Sequence, residues 1–344
     1  MKRAACIFSA SLAVFLLCSC AGIKQKKYET GFFGMFDTYA GVIAYAGSQN
    51  EFDALAEKIR ARLYELHVLF DIYNDYDGVN NLKTVNDNAG IAPVEVSGEI
   101  IGLLNFAKYA FGETDGAVNE ALGPVLAIWR EYREAALSDP DNASPPPFAL
   151  LSEAAELCGI EKITVDEANG TVFLETRGMS VDAGALAKGF AAQMIMDEII
   201  LPSGYSCLID LGGNIAAAGG PPGKNGGFWN IGVQDPAGGG EYIKIIRITN
   251  RSAVTSGDYQ RYYEAGGARY HHIVDPGTLF PADNFSSVTV LHEDSGVADM
   301  LSTALFILPL EAGGALALKH NAGALWVTKD GNTITNGEFE KYIK

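Results

Sequence analysis

The second half of the chain is a succession of short apolar runs separated by turn-forming residues, and this limits the fold more than any other feature. Residues 207–211, 229–233, 242–248 and 287–291 are five to seven residues long and rich in β-branched and aromatic side chains. Runs of that length bounded by turn residues read as strands. Between and after them, residues 183–200, 297–308 and 311–319 carry apolar residues at helical spacing. Further strand-like runs occupy residues 36–46, 163–165 and 171–181. Lys329-Asp330-Gly331-Asn332 marks a late hairpin turn. The first half is more helical. Phe52, Leu55, Ile59, Leu63, Leu66 and Phe70 form one stripe of a helix over residues 51–73, and residues 96–111 read as a second. Residues 138–147, S-D-P-D-N-A-S-P-P-P, form a surface loop. With no internal repeat and no linker, the expectation is a single two-lobed α/β domain, α and β mixed, with mixed sheets flanked by helices.

The N-terminus reads as an address. Lys2 and Arg3 precede an apolar stretch over residues 4–17 that is short for a membrane span. It ends in L-C-S-C, which resembles a bacterial lipoprotein cleavage box with Cys20 as the lipidated residue. An ordinary secretory signal or an anchor helix is the alternative. The division expected is a signal peptide over residues 1–19, a lipid-anchored tether over 20–34 and a folded domain over 35–344, held extracytoplasmically at the bacterial membrane. The formal charge is −17, and losing the leader removes two cations and no acid. Such a surface disfavours nucleic acid or anionic lipid as partner, since phosphate affinity comes from Lys/Arg clusters. Cys158 and Cys207 are the cysteines left beyond the leader and Cys20. They permit one disulfide, although the apolar run around Cys207 favours simple burial.

Several segments carry residues suited to chemistry. In A-D-M-L-S-T, Asp299 and Thr303 lie four apart on a helix-like run, so carboxylate and hydroxyl share a face. Hard oxygens so placed suit Mg²⁺, which takes one or two carboxylates plus phosphate oxygens. In S-V-D-A-G-A-L-A-K-G-F, Asp182 occupies an N-cap position before small residues, and Lys188 follows six residues on. This is either an anion-binding helix start or an ordinary cap with a surface lysine. L-I-D-L-G-G-N-I breaks a buried-type strand with a Gly-Gly turn at Gly212, against which a ligand or simply another strand can lie. It is neither a Walker loop nor a dinucleotide fingerprint. V-T-S-G-D-Y, residues 254–259, ends another strand in hydroxyls. In R-Y-H-H-I-V-D-P-G-T, His271 and His272 alternate on a strand, so at most one faces a site.

The order of these segments makes the chain resemble the FAD:protein FMN transferases, the ApbE-type flavin transferases. D-A-G-A-L-A-K-G is similar to their D-x-G-x-x-A-K-G. L-I-D-L-G-G-N-I-A-A-A-G, W-N-I-G-V-Q-D-P, V-T-S-G-D-Y, H-H-I-V-D-P and V-A-D-M-L-S-T-A-L-F follow in the family's order. The resemblance runs from Phe36 to the C-terminus and implies an ApbE-type (T-fold-like) domain. It implies Mg²⁺-dependent transfer of FMN from FAD to a threonine of a target flavoprotein through a phosphoester, releasing AMP. The acceptor would be an extracytoplasmic subunit of an electron-transfer complex with a Ser/Thr-Gly-Ala-Thr-like segment.

Carried over residue by residue, the resemblance puts Asp182 and Lys188 on the flavin nucleotide. The Ala185 carbonyl, Asp299 and Thr303 would hold the magnesium. His272 matches the histidine tied to transfer, and Ile273 would lie near FAD. Thr38, Ala117, Val118 and Asn119 would line the flavin side, with Tyr76 a candidate for ring stacking. The base that takes the threonine proton is either His272, oriented by Asp275, or an acid near the metal. Three departures stand out: F-D-T (residues 36–38) for M-G-T, V-N-E-A-L-G-P (residues 118–124) for F-D-P-T-x-G-P, and Gly277-Thr278-Leu279 where R/K-T-G is usual. Rival readings are a Mg²⁺-dependent FAD pyrophosphatase giving FMN and AMP, and a non-catalytic FAD-binding lipoprotein.

Overall fold

A single antiparallel sheet of eight strands organises the protein. Its order is Lys26–Met35, Thr38–Ala46, Ser206–Leu211, Asn214–Ala218, Arg251–Gly257, Ser287–His292, Gly323–Val327 and Thr333–Thr335. The computed structural model describes residues 25–344. The leader, Cys20 and the start of the tether lie outside them. The rest of the expected tether is not a tether: Lys26–Met35 pairs with Thr38–Ala46 as the edge strand of the sheet. Its side chains are largely exposed, as an edge allows, so no strong apolar alternation marks it.

Both faces of the central strands are covered. In Ser206–Leu211, Cys207, Ile209 and Leu211 pack on one side with the helix Gln49–Phe70, while Leu208 packs on the other with Trp229, Ile231 and Ile246. Burial on both faces explains the consecutive apolar residues Cys207, Leu208 and Ile209 there. The second cover is a two-stranded sheet, Trp229–Gln234 with Tyr242–Ile248. On the helical side, Gln49–Phe70, Ala187–Ile195 and Ser295–Ile307 lie against the main sheet, and the sequence stripe of the first of them is buried throughout. A three-stranded sheet (Val94–Glu95, Thr171–Leu174, Ile163–Asp166) and the helices Gly98–Glu113 and Gly123–Ser138 complete the mixed α+β fold.

Two further sequence expectations change. The strand-like run at 171–181 stops at Leu174. Beyond it the chain is clamped by Asn86, whose side-chain oxygen accepts from Val181 N (2.8 Å) and whose amide donates to Val181 O (3.0 Å). The amide takes the place of a strand neighbour. The helical run at 183–200 is divided into a 3₁₀ turn at Ala183–Ala185, a helix at Ala187–Ile195 and a π-helical segment at Met196–Ile200. Cys158 and Cys207 are free thiols, and burial pushes both up, Cys207 to about 12.

Candidate active site

One end of the main sheet opens into a cavity of about 530 Å³. The strand register brings the Phe36-Asp37 turn, the Gly212-Gly213 turn and the end of Arg251–Gly257 to that end. Phe36 and Asp37 both have positive φ (53° and 50°), as a two-residue I′-type hairpin turn requires. Phe36 lines the cavity and packs edge-on to His67 at 5.8 Å. Gly212 must be glycine, because a Cβ there would lie 2.0 Å from Thr38 Oγ1. The turn is tied down by Asp210, which accepts from Gly213 N at 2.8 Å.

Asp299 comes from the helix Ser295–Ile307, capped by Asp294 accepting from Val297 N (2.9 Å). It is 3% exposed, and its Oδ2 accepts from Gly189 N at 2.8 Å. Thr303 follows one turn on and lines the same cavity. Burial raises the Asp299 carboxyl above its usual range, and Lys188 works against that rise. The two helices approach so closely that a Cβ on Gly189 would lie 2.4 Å from Asp299 Cβ and 2.5 Å from Ser295 O. Gly189→Ala is therefore expected to destabilise by about 1–3 kcal/mol through overpacking. Chemical denaturation checks it, and a wild-type midpoint would show that this contact relaxes freely.

Asp182 caps the 3₁₀ turn by accepting from Gly184 N at 3.0 Å. Its other oxygen lies 3.9 Å from Arg130, whose guanidinium stacks 4.7 Å over the Tyr73 ring and donates to the Tyr73 hydroxyl (2.8 Å). Lys188, Arg130, Arg133 and Arg261 all line the cavity, a local concentration of cations in an acidic protein. That arrangement favours an anionic ligand.

The histidine pair divides, although the strand Ala268–His271 ends at the first of the two and His272 lies in the bend that follows. His271 is buried, with Nε2 bonded to Ala282 O (2.8 Å) and Nδ1 accepting from Ile273 N (3.2 Å), so it is structural. His272 opens onto the cavity. Its surface is accessible yet walled in by protein, and the walls set its electrostatics. Desolvation, then Arg261, hold its imidazole well below the usual value, so it is neutral at pH 7. Asp275 does not orient it. That carboxylate accepts from Gly277 N (2.8 Å) instead.

Thr38, Ala117, Val118, Asn119, Asp182, Ala185, Lys188, Ile273, Asp299 and Thr303 all border this cavity with His272. Tyr76 does not border it. Its hydroxyl donates to Asp71 (2.8 Å), and Tyr73 occupies the wall in its place. Sequence reasoning also passed over Arg130, Arg261 and Glu120. Among the described residues no three His, Cys, Asp or Glu side chains gather to hold a metal alone. The donors at the cavity do suit a hard cation that shares its shell with a ligand: a buried carboxylate, a hydroxyl and a backbone carbonyl. The Asn214 amide and both oxygens of Glu120 are buried without a well-formed hydrogen bond, with Asp299 and the Ala185 backbone their nearest partners.

The profile of the ApbE family matches residues 36–326. The chain belongs to the ApbE family. The FAD:protein FMN transferase of Klebsiella pneumoniae (strain 342) is 34% identical over 285 residues, covering 81% of this chain and 84% of the relative. That of Treponema pallidum (strain Nichols) is 33% identical over 334 residues, covering 92% and 89%. The crystal structure of the ApbE protein of Thermotoga maritima superposes with a TM-score of 0.80 at 28% identity, covering 93% of this chain and all of that one. The ApbE match spans both the hairpin turn at Phe36 and the helix that carries Asp299, so all of the cavity lining except Gly34 falls inside it.

Proposed function

We propose that this protein transfers FMN from FAD to a threonine of a flavoprotein, with magnesium, on the outer face of a bacterial membrane to which Cys20 anchors it. The observation that carries the reading is the meeting of Asp299, Thr303, Asp182, Lys188 and His272 on one cavity, drawn from three separate parts of the chain. Family membership and the names of its relatives support the same activity.

In this reading Lys188 and the arginines hold the pyrophosphate of FAD by charge and fix its orientation. The threonine oxygen attacks the phosphorus of the FMN half, the bond to the AMP oxygen breaks, and AMP leaves. Neutral His272 accepts the hydroxyl proton. The Ala185 carbonyl, Asp299 and Thr303 would hold the magnesium, which supplies stabilisation of charge on the phosphoryl oxygens and on the leaving AMP. Phe36 and Tyr73 offer flat apolar surface for the isoalloxazine ring, the role first given to Tyr76.

The test is intact-mass spectrometry on an acceptor carrying a Ser/Thr-Gly-Ala-Thr-like segment, after incubation with the protein, FAD and Mg²⁺. The expected result is a mass gain of one FMN that disappears when the acceptor threonine is replaced by alanine. FMN and AMP released with the acceptor unmodified would point to the pyrophosphatase. Unchanged FAD would point to a binding protein.

A further inference from the structure

Glu120 is a buried acid that the transfer reaction leaves without a role. It is 2% exposed, and neither carboxyl oxygen has a well-formed hydrogen bond, the Ala185 backbone being the nearest donor. Val118, Ala121 and Leu122 nearby are buried and apolar, while the adjacent Asn119 is engaged as a cap, and an apolar side chain at 120 would avoid desolvating a carboxyl. Folds retain such groups where a ligand completes them. Its place is fixed on both sides. Asn119 caps the 3₁₀ turn by accepting from Ala121 N (3.0 Å), and Glu120 O accepts from Asp182 N (2.8 Å). The side chain borders the cavity, within the electrostatic reach of Asp299, Asp182 and Lys188 and next to the Ala185 backbone. Those are the groups around which the cation site is drawn.

We propose that Glu120 is a further protein ligand of the divalent cation, a second carboxylate beside Asp299. The inference rests on the reading of this cavity as a magnesium site. It adds a consequence for order of binding. A site with one carboxylate, one hydroxyl and one carbonyl relies on substrate phosphates for affinity, whereas a second carboxylate raises the ligand charge before any nucleotide arrives. The cation should therefore load onto the free protein, and FAD should enter a site already charged. Lys188 tempers the repulsion between the acids.

The experiment is a Mn²⁺ titration followed by electron paramagnetic resonance, without and with FAD, on the purified protein and on Glu120→Gln, Glu120→Leu and Asp299→Asn. The wild type should bind Mn²⁺ without FAD. Loss of a partner outside the coordination shell already weakens metal affinity about 10–100-fold, so both Glu120 variants should lose at least about tenfold. The metal-free Glu120→Leu protein should also melt at a higher temperature than wild type, because a desolvated carboxyl has gone. Mn²⁺ affinity unchanged in both Glu120 variants but lost in Asp299→Asn would overturn the proposal and leave the magnesium reading intact. Mn²⁺ binding by the wild type only with FAD would overturn it as well. Lost affinity with a lowered melting temperature in both variants would assign Glu120 a structural role instead. No Mn²⁺ binding by the wild type, even with FAD, would remove the magnesium reading together with this one.

Discussion

Asp299→Ala is expected to abolish magnesium-dependent turnover of FAD, lowering the rate by about 10²–10⁴-fold if the cation supplies several kcal/mol of charge stabilisation. The substitution has a second effect that must be separated. Asp299 Oδ2 is the acceptor for Gly189 N, so alanine also leaves a buried N–H unpaired, a loss of about 1–3 kcal/mol in stability. Asp299→Asn retains an oxygen for that N–H and removes only the charge. Both variants should lose turnover at saturating magnesium, while Asp299→Asn should melt close to wild type. Turnover is followed by AMP release across a magnesium titration, with circular dichroism as the check on folding. Full activity in either variant would remove Asp299 from the metal set. Recovery at raised magnesium would instead mean weakened affinity with the chemistry intact.

Much of this arrangement was legible in the sequence because it depends on local periodicity. The i, i+4 relation of Asp299 and Thr303 survives folding, since a helix fixes it whatever it packs against. That one histidine of the pair would face away was also legible, although the strand ends at His271 and it is the following bend that turns His272 to the cavity. The order of short strand-like runs indicated the sheet, and the resemblance carried by those segments matches the family found by comparison. The N-cap role of Asp182 was readable as well, although it caps a 3₁₀ turn and the helix proper begins later.

What was missed depends on contacts between distant segments. The edge strand Lys26–Met35 has one side open to solvent, so its composition of lysine, glycine, tyrosine and phenylalanine gives no two-residue pattern. Tyr76 and Tyr73 occupy the same turn-rich stretch. Which one faces the cavity is decided by Asp71, which holds the hydroxyl of the former, and by Arg130, which stacks on the latter. Neither partner can be inferred from spacing. Glu120 is harder still. In sequence it is an acid between Asn119 and Ala121, with nothing to mark it as buried. Only the pairing of its backbone with Asp182 reveals that the side chain is buried at the cavity rather than turned to water.

His272→Ala should lower transfer to the acceptor by about 10²–10⁴-fold, the usual contribution of a positioned base, while leaving FAD affinity nearly unchanged. The distinction matters because Ile273, the next residue, also borders the cavity, and a binding role for the whole segment would lower both quantities together. The pH dependence separates the two accounts further. An unperturbed imidazole, with a pKa of about 6.5, would be roughly three-quarters protonated at pH 6 and unable to accept a proton. Desolvation and the charges of Arg261 and Lys188 lower the pKa of His272, so the ring stays neutral as pH falls from 7.5 to 6. Transfer at saturating FAD should therefore keep most of its rate across that interval. A limb near 6.5 that vanishes in His272→Ala would mean that binding of FAD returns the histidine to its ordinary range, by placing phosphate charge against it. A limb that persists in the variant belongs to another group. Equal losses of transfer and FAD affinity in His272→Ala would make this residue part of the binding wall, and the base would then be sought among the acids around Asp299.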